Sequence, residues 1–122
     1  MNASAADQFL ANWASQARKG VLELVVMSAL SEREFYGYEL VEHLRARFQL
    51  QVSDGTLYAI LTRMKAEGLL RQRWEHTASG PARKYYALSA PGRRMLAAMQ
   101  ETWRDIANAV DRAVGTKSAS DV

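Results

Sequence analysis

Two amphipathic helical patterns, a pair of alternating strand patterns and a long terminal heptad pattern predict a mainly α fold with one small β-hairpin. Residues 35–48 and 52–70 read as helices joined by the short connection 49–52, which makes a helix-turn-helix. Residues 70–76 and 84–89 alternate in hydropathy around the turn signal Gly80-Pro81, which makes a hairpin directly after the second helix. That order is a winged helix-turn-helix, here extended by a further helix at each end.

The chain has 122 residues, enough for one domain's core and too few for two. Hydrophobic residues make up 48% and charged residues 24%, ordinary for a soluble globular protein. It contains no cysteine, which excludes disulfides, thiolate metal sites and thiol catalysis. No stretch reaches the roughly 20 apolar residues of a membrane span, and residues 1–18 lack a signal-peptide core. A cytoplasmic location is the simplest expectation. The net charge of +3 is uneven: residues 52–94 carry eight Lys/Arg against three acidic residues, a balance of +5 that leaves −2 elsewhere. A basic segment of that kind suits a polyanionic partner, although a solvated basic face is the plain alternative.

At the N-terminus, Phe9, Leu10, Trp13 and Ala17 mark an amphipathic helix over residues 5–17. Its two large aromatics need cover, either from the chain's own core or from a partner subunit. The apolar run 21–30 fits strand or helix by periodicity; its length and the preceding Arg-Lys-Gly favour helix. A domain boundary is expected between residues 18 and 19.

Over residues 35–48, Leu40, Val41, Leu44 and Phe48 form an apolar stripe opposite Glu39, Glu42, Arg45 and Arg47. Gly37 at its start would let another group approach the backbone closely, and free amides at a helix N-terminus suit phosphate. In the next helix Ser53 is the expected N-cap and Gly68 the stop. Leu57, Ile60, Leu61 and Met64 share one face. The other face carries Gly55, Ala59, Thr62 and Ala66, flanked by Tyr58 on one side and by Thr56 and Arg63 on the other. Small residues outward, with hydrogen-bonding groups at the margins, suit a helix that presses into a groove of DNA. Arg83 and Lys84 are expected at the hairpin tip, placed for phosphate.

Ser89 is the expected cap of the last helix, with Pro91 in its first turn. Gly92, Leu96, Met99, Trp103, Ile106, Val110 and Ala113 then recur at alternating spacings of four and three, the seam of a coiled coil. A helix of about 25 residues is about 37 Å long, so part of it should pack on another chain. Residues 115–122 read as a frayed tail. The expected organisation is a helix at 1–18, the winged helix at 19–89, a dimerisation helix at 90–114 and the tail.

Five short motifs in this order resemble the PadR family of bacterial transcriptional regulators: KGVLEL at 19–24, YGYEL at 36–40, DGTLYAIL at 54–61, EGLL at 67–70 and GPARKYYALS at 80–89. The single C-terminal helix is similar to the family's compact branch, whereas residues 5–17 supply more N-terminal helix than many compact members carry. The resemblance implies a homodimer on a pseudo-palindromic duplex operator, usually a repressor, released by a small effector such as a phenolic acid or a planar aromatic drug. It places Tyr36, Gly37 and Tyr38 near the phosphate backbone, Ser53, Gly55, Thr56 and Tyr58 at the recognition helix, and Gly80, Arg83 and Lys84 on the wing. Trp103 falls at the offset from Gly92 where drug-binding relatives line a pore at the dimer interface.

The expected DNA contacts are Tyr36, Gly37, Tyr38, Ser53, Gly55, Thr56, Tyr58, Ala59, Thr62, Arg63, Gly80, Arg83 and Lys84. The expected dimer interface is Phe9, Trp13, Leu96, Met99, Trp103, Ile106 and Val110, with Met99, Trp103 and Ile106 also facing an effector. His43 and His76 lack neighbours at metal spacing, so no metal or cofactor is expected. The methionines need only fill core. No phosphate loop, G-x-S-x-G or H-E-x-x-H motif is present, so no enzyme is expected. The competing readings are a winged helix used for protein interaction, and a ligand-binding dimer without specific DNA binding.

Overall fold

The computed structural model describes residues 4–115, in the order α1 (Ala5–Glu32), β1 (Phe35–Tyr36), α2 (Gly37–Phe48), α3 (Asp54–Ala66), β2 (Leu70–Thr77), β3 (Gly80–Leu88) and α4 (Ala90–Val114). Mainly helical with one small antiparallel sheet, it is a winged helix-turn-helix with long flanking helices.

α1 is a single helix of 28 residues, so the helical patterns at 5–17 and 21–30 run on as one element across residues 18 and 19. A capping box starts it: Ser4 Oγ accepts the Asp7 N–H at 3.0 Å, and the Asp7 carboxylate accepts the Ser4 N–H at 3.4 Å. Gly20 costs about 1 kcal/mol in a helix interior, less than the unsatisfied backbone groups that two new helix ends would create. The valines at 21, 25 and 26 follow the helix for the same reason. Only the second half of α1 enters the core, through Leu22, Val26, Met27, Ala29 and Leu30.

The helix expected from residue 35 begins at Gly37 instead. Phe35 and Tyr36 are a two-residue strand paired with Tyr86 and Tyr85 of β3, in a sheet ordered β1-β3-β2. The pull is tertiary, because Phe35 is completely buried. Glu39 reaches back to accept the Tyr36 N–H at 3.2 Å at the start of α2. Gln49 caps α2 in the left-handed conformation at φ 56°, and residues 50–53 connect it to α3.

α3 begins and ends where its sequence signals lie. Ser53 Oγ accepts the Thr56 N–H at 3.1 Å. At the other end the Gly68 N–H bonds the Lys65 carbonyl and the Leu69 N–H bonds the Met64 carbonyl, both at 2.9 Å. This is a Schellman motif with Gly68 at φ +76°. Leu57 and Leu61 are fully buried beside Leu40 and Leu44 of α2, Val26 and Leu30 of α1, and Leu88 of β3.

The wing differs from expectation at its tip. Ala78 and Ser79 make the turn, and Gly80-Pro81 open β3. Pairing runs from Leu70↔Leu88 to Glu75↔Arg83 and then shifts before Thr77↔Gly80, leaving one extra residue on β3. Pro81 falls in this bulge, where its missing N–H breaks no ladder bond. Arg83 and Lys84 are therefore strand residues opposite Glu75 and Trp74, not tip residues.

α4 is fastened at its start. Ser89 Oγ accepts the Gly92 N–H at 3.0 Å and donates to the Gly68 carbonyl at 2.7 Å, while the Ser89 N–H bonds the Leu69 carbonyl at 3.0 Å. Gly92 is buried where a Cβ would meet the Leu69 backbone, with Leu69 C at 3.0 Å. The helix closes at Gly115, the first residue of the expected tail; the rest of that tail lies outside the described residues.

Candidate nucleic-acid interface

Burial of Leu57, Leu61 and Met64 fixes which side of α3 faces outward. Gly55, Thr56, Ala59 and Thr62 all lie exposed there, with Ser53 exposed at the helix start. The Ser53 hydroxyl also bonds Thr56 Oγ1 at 2.9 Å, which fixes both hydroxyls at the leading end of the helix.

Tyr58 crosses from this helix to the start of α2. Its ring lies over Gly37, so a Cβ at Gly37 would sit 2.8 Å from Tyr58 Cζ. The close approach that Gly37 permits is thus made by the chain's own phenol, and Gly37 is buried. Tyr38, one residue on, stands 67% exposed at the first turn of α2. Tyr36, Tyr38, Tyr58, Thr62, Trp74, Arg83 and Lys84 line a groove of about 440 Å³ between α2, α3 and the wing. Seven of the residues expected at DNA, among them Gly37, meet in this groove. Ser53, Gly55, Thr56 and Ala59 lie along α3 outside its lining, and Gly80 is exposed beside the wing turn.

The wing cations rest on aromatic rings. The Arg83 guanidinium lies 4.6 Å from the Tyr36 ring centroid, and Lys84 Nζ lies 5.0 Å from that of Trp74. Neither forms an ion pair among the described residues. Exposed contacts of this kind are worth about 0.5–1 kcal/mol, so both cations can exchange a ring for a phosphate at little cost. Arg73 is different. Its guanidinium holds both carboxylate oxygens of Glu34, with Nε at 3.1 and 3.0 Å, and also pairs with Glu75 at 3.1 Å. The hydrogen bond from Arg73 holds the Glu34 carboxyl below its ordinary range, helped by the charges of Arg73 and Arg71 and opposed by partial desolvation. Arg73 ties β2 to the segment before β1 and acts as a strut. Tyr86, the inward member of the Tyr85-Tyr86 pair, has its phenol pushed up by burial and then by nearby Tyr58.

Arg63 stands apart from the groove. It pairs with Glu23 of α1 and lines a separate cleft between α1, α3 and α4. Trp74 and Ala82 line the groove although the sequence did not single them out. Alternation places Trp74 on the same side as Leu70, but burial fades beyond Gln72 and Trp74 is 58% exposed. Its signal was the adjacent run of basic residues: a large exposed aromatic opposite Lys84.

The expected seam of α4 divides in two. Gly92 and Leu96 are buried in the protomer's own core and Met99 packs against it, so Leu96 has little surface left for a partner. Trp103, Ile106 and Val110 are exposed, as are Phe9, Leu10 and Trp13 on the first half of α1. Two helices that pack together thus carry unburied large apolar side chains beyond the core.

The family model described as transcriptional regulator PadR-like matches residues 26–98, which spans α2, α3, the wing and the start of α4. The chain belongs to the PadR-like family of transcriptional regulators. Among solved structures it is similar to a PadR family regulator from Eggerthella lenta, with 31% identity and a TM-score of 0.84 over 94% of this chain and 100% of that one. A PadR-like regulator from Bacillus cereus aligns with 33% identity and a TM-score of 0.71 over 84% and 99%. Transcriptional regulator Rv3488 of Mycobacterium tuberculosis is 29% identical over 76% of this chain and 85% of its own. PadR-family members are DNA-binding transcriptional regulators that typically dimerise, and they are not enzymes. No helix among the described residues is long and apolar enough to cross a membrane.

Proposed function

We propose that this PadR-family regulator binds a pseudo-palindromic operator as a homodimer and represses transcription until a small planar aromatic effector releases it. The observation that carries the DNA reading is the outward side of α3. Gly55, Ala59 and Thr62 form a surface of small side chains, bordered by Thr56, by Tyr58 and by the wing cations Arg83 and Lys84, which form no ion pair among the described residues. Such a surface lets the helix backbone sit deep in a major groove while the wing meets phosphate. Thr62 and Tyr58 read bases, and Ser53, Tyr36 and Tyr38 fix the helix on the backbone.

Dimerisation uses the apolar side chains left exposed, Phe9 and Trp13 of α1 with Trp103, Ile106 and Val110 of α4. A twofold axis near Trp103 would bring two indoles together. Tryptophan is larger than the Leu, Ile or Val that fill two-stranded seams, so the pair leaves a gap able to stack a planar aromatic. The test is footprinting on the DNA upstream of the protein's own gene, with and without planar aromatic compounds. Protection of two half-sites about one helical turn apart, or a multiple of it, supports the reading. Uniform protection at all sequences overturns it.

A further inference from the structure

Four of the five methionines in the chain, Met27, Met64, Met95 and Met99, converge on one cleft of about 330 Å³. They come from α1, α3 and α4, far apart in sequence: Met27 and Met64 are buried beneath the cleft floor, Met99 is partly buried on its wall, and Met95 is 44% exposed at the mouth. Met95 and Met99 supply the accessible thioethers, backed by the two core methionines. Thioethers on unbranched stems adapt to ligands of varied shape, which is why methionine is favoured at adaptable binding surfaces. The cleft also holds three charged residues. Arg63 and Glu23 neutralise each other, whereas Glu67 forms no ion pair among the described residues. The lining therefore carries one uncompensated negative charge beside an apolar, sulfur-rich wall. It contains no aromatic ring to stack a flat ligand. Its volume matches an organic molecule rather than a single ion.

We infer that this cleft is a ligand site within each protomer for an amphiphilic monocation, with an apolar body resting on Met95 and Met99 above the buried Met27 and Met64 and one ammonium on Glu67. The site is separate from Trp103, which does not line it. Arg63, Met64 and Glu67 belong to the C-terminal end of α3, so an occupant would rest against the recognition helix itself.

The test titrates the full chain, labelled at the methionine methyls, with phenylbutylamine, its neutral analogue phenylbutanol and the anion phenylbutyrate. The amine should move the methyl signals of Met27, Met64, Met95 and Met99 and bind at least about fivefold more tightly than the alcohol, with the anion weakest. Glu67→Gln, an exposed substitution, should bring the amine close to the alcohol without changing the alcohol. Trp103→Ala should leave the shifts of Met27, Met64 and Met95 and the preference for the amine unchanged. Equal binding of amine and anion, an unaffected Glu67→Gln, or loss of binding in Trp103→Ala would each overturn the inference. Methyl shifts with silver(I) and none with the amine would instead mark a soft-metal site and overturn it equally.

Discussion

Gly37 and Tyr58 occupy one space. The side chain that position 37 lacks is replaced by the Tyr58 phenol of α3, with Tyr58 Cζ 2.8 Å from where a Cβ would stand. Because the obstructing atoms are the far end of a half-exposed side chain, Gly37→Ala should fold with a stability change of about 1 kcal/mol or less while displacing Tyr58. DNA affinity should fall. In a Tyr58→Ala background the same substitution should have no further effect on DNA binding, and that double-mutant cycle checks the coupling. Additive losses would mean that Gly37 and Tyr58 act separately.

Gly92 and Gly20 give the opposite pair of outcomes. At Gly92 the obstruction is the Leu69 backbone, held by the Ser89 hydrogen bonds, so Gly92→Ala should cost about 1–3 kcal/mol in chemical denaturation. At Gly20 nothing lies within 4 Å of a Cβ, so Gly20→Ala should stabilise α1 by about 1 kcal/mol.

The Arg73–Glu34 pair should show itself in acid. Folding lowers the Glu34 carboxyl below its ordinary value of 4.5, so the stabilisation is complete above that value and fades as pH falls through the lower folded value. Denaturation of wild type and Glu34→Gln across acid pH should therefore differ most near neutrality and converge at the acid end. A difference independent of pH would assign the effect to packing. Both side chains lie at the surface, so added salt should shrink the difference too.

Arg83→Ala and Lys84→Ala should each weaken binding to all DNA sequences alike and reduce the salt slope by about one unit, measured by titration at several salt concentrations. Arg73→Ala should loosen the wing, because its guanidinium is committed to Glu34 and Glu75. An unchanged salt slope in both wing variants would remove these cations from the phosphate contact.

The parts of the fold legible in the sequence were those whose signals are local. Ser53 and Gly68 bound α3 through their own hydrogen bonds and backbone angles, and Ser89 caps α4 in the same way. The outward face of α3 followed from the spacing of its leucines. What depended on distant partners was not legible. The strand at Phe35–Tyr36 exists because β3 and the core receive it, and two residues carry no period. The patterns at residues 5–17 and 21–30 read as separate segments because each carries its own apolar signal, and only the fold shows the continuous helix that joins them. Gly80-Pro81 looked like the wing turn, whereas a register shift places it beside the turn. Arg63 sat at the margin of the right helix, and only the fold brings Glu23 to it. The gathering of four methionines in one cleft was equally hidden, since each alone needs only to be core.

For the dimer, a charge at Ile106, which is 48% exposed in the protomer, should leave the fold intact and separate the subunits. Sedimentation of Ile106→Asp should give a folded monomer by circular dichroism, and DNA affinity should fall because the half-sites are no longer linked. A dimer of wild-type mass would move the interface elsewhere, to the helix face bearing Trp13.

Competition between the protein's own upstream DNA and random duplex, at physiological salt, tests sequence-specific recognition most directly. A dimeric regulator reading two half-sites through α3 should prefer its operator by about 10³-fold or more. That preference should collapse in Thr62 and Tyr58 variants while random-sequence binding stays. Equal affinity for operator and random DNA would contradict it.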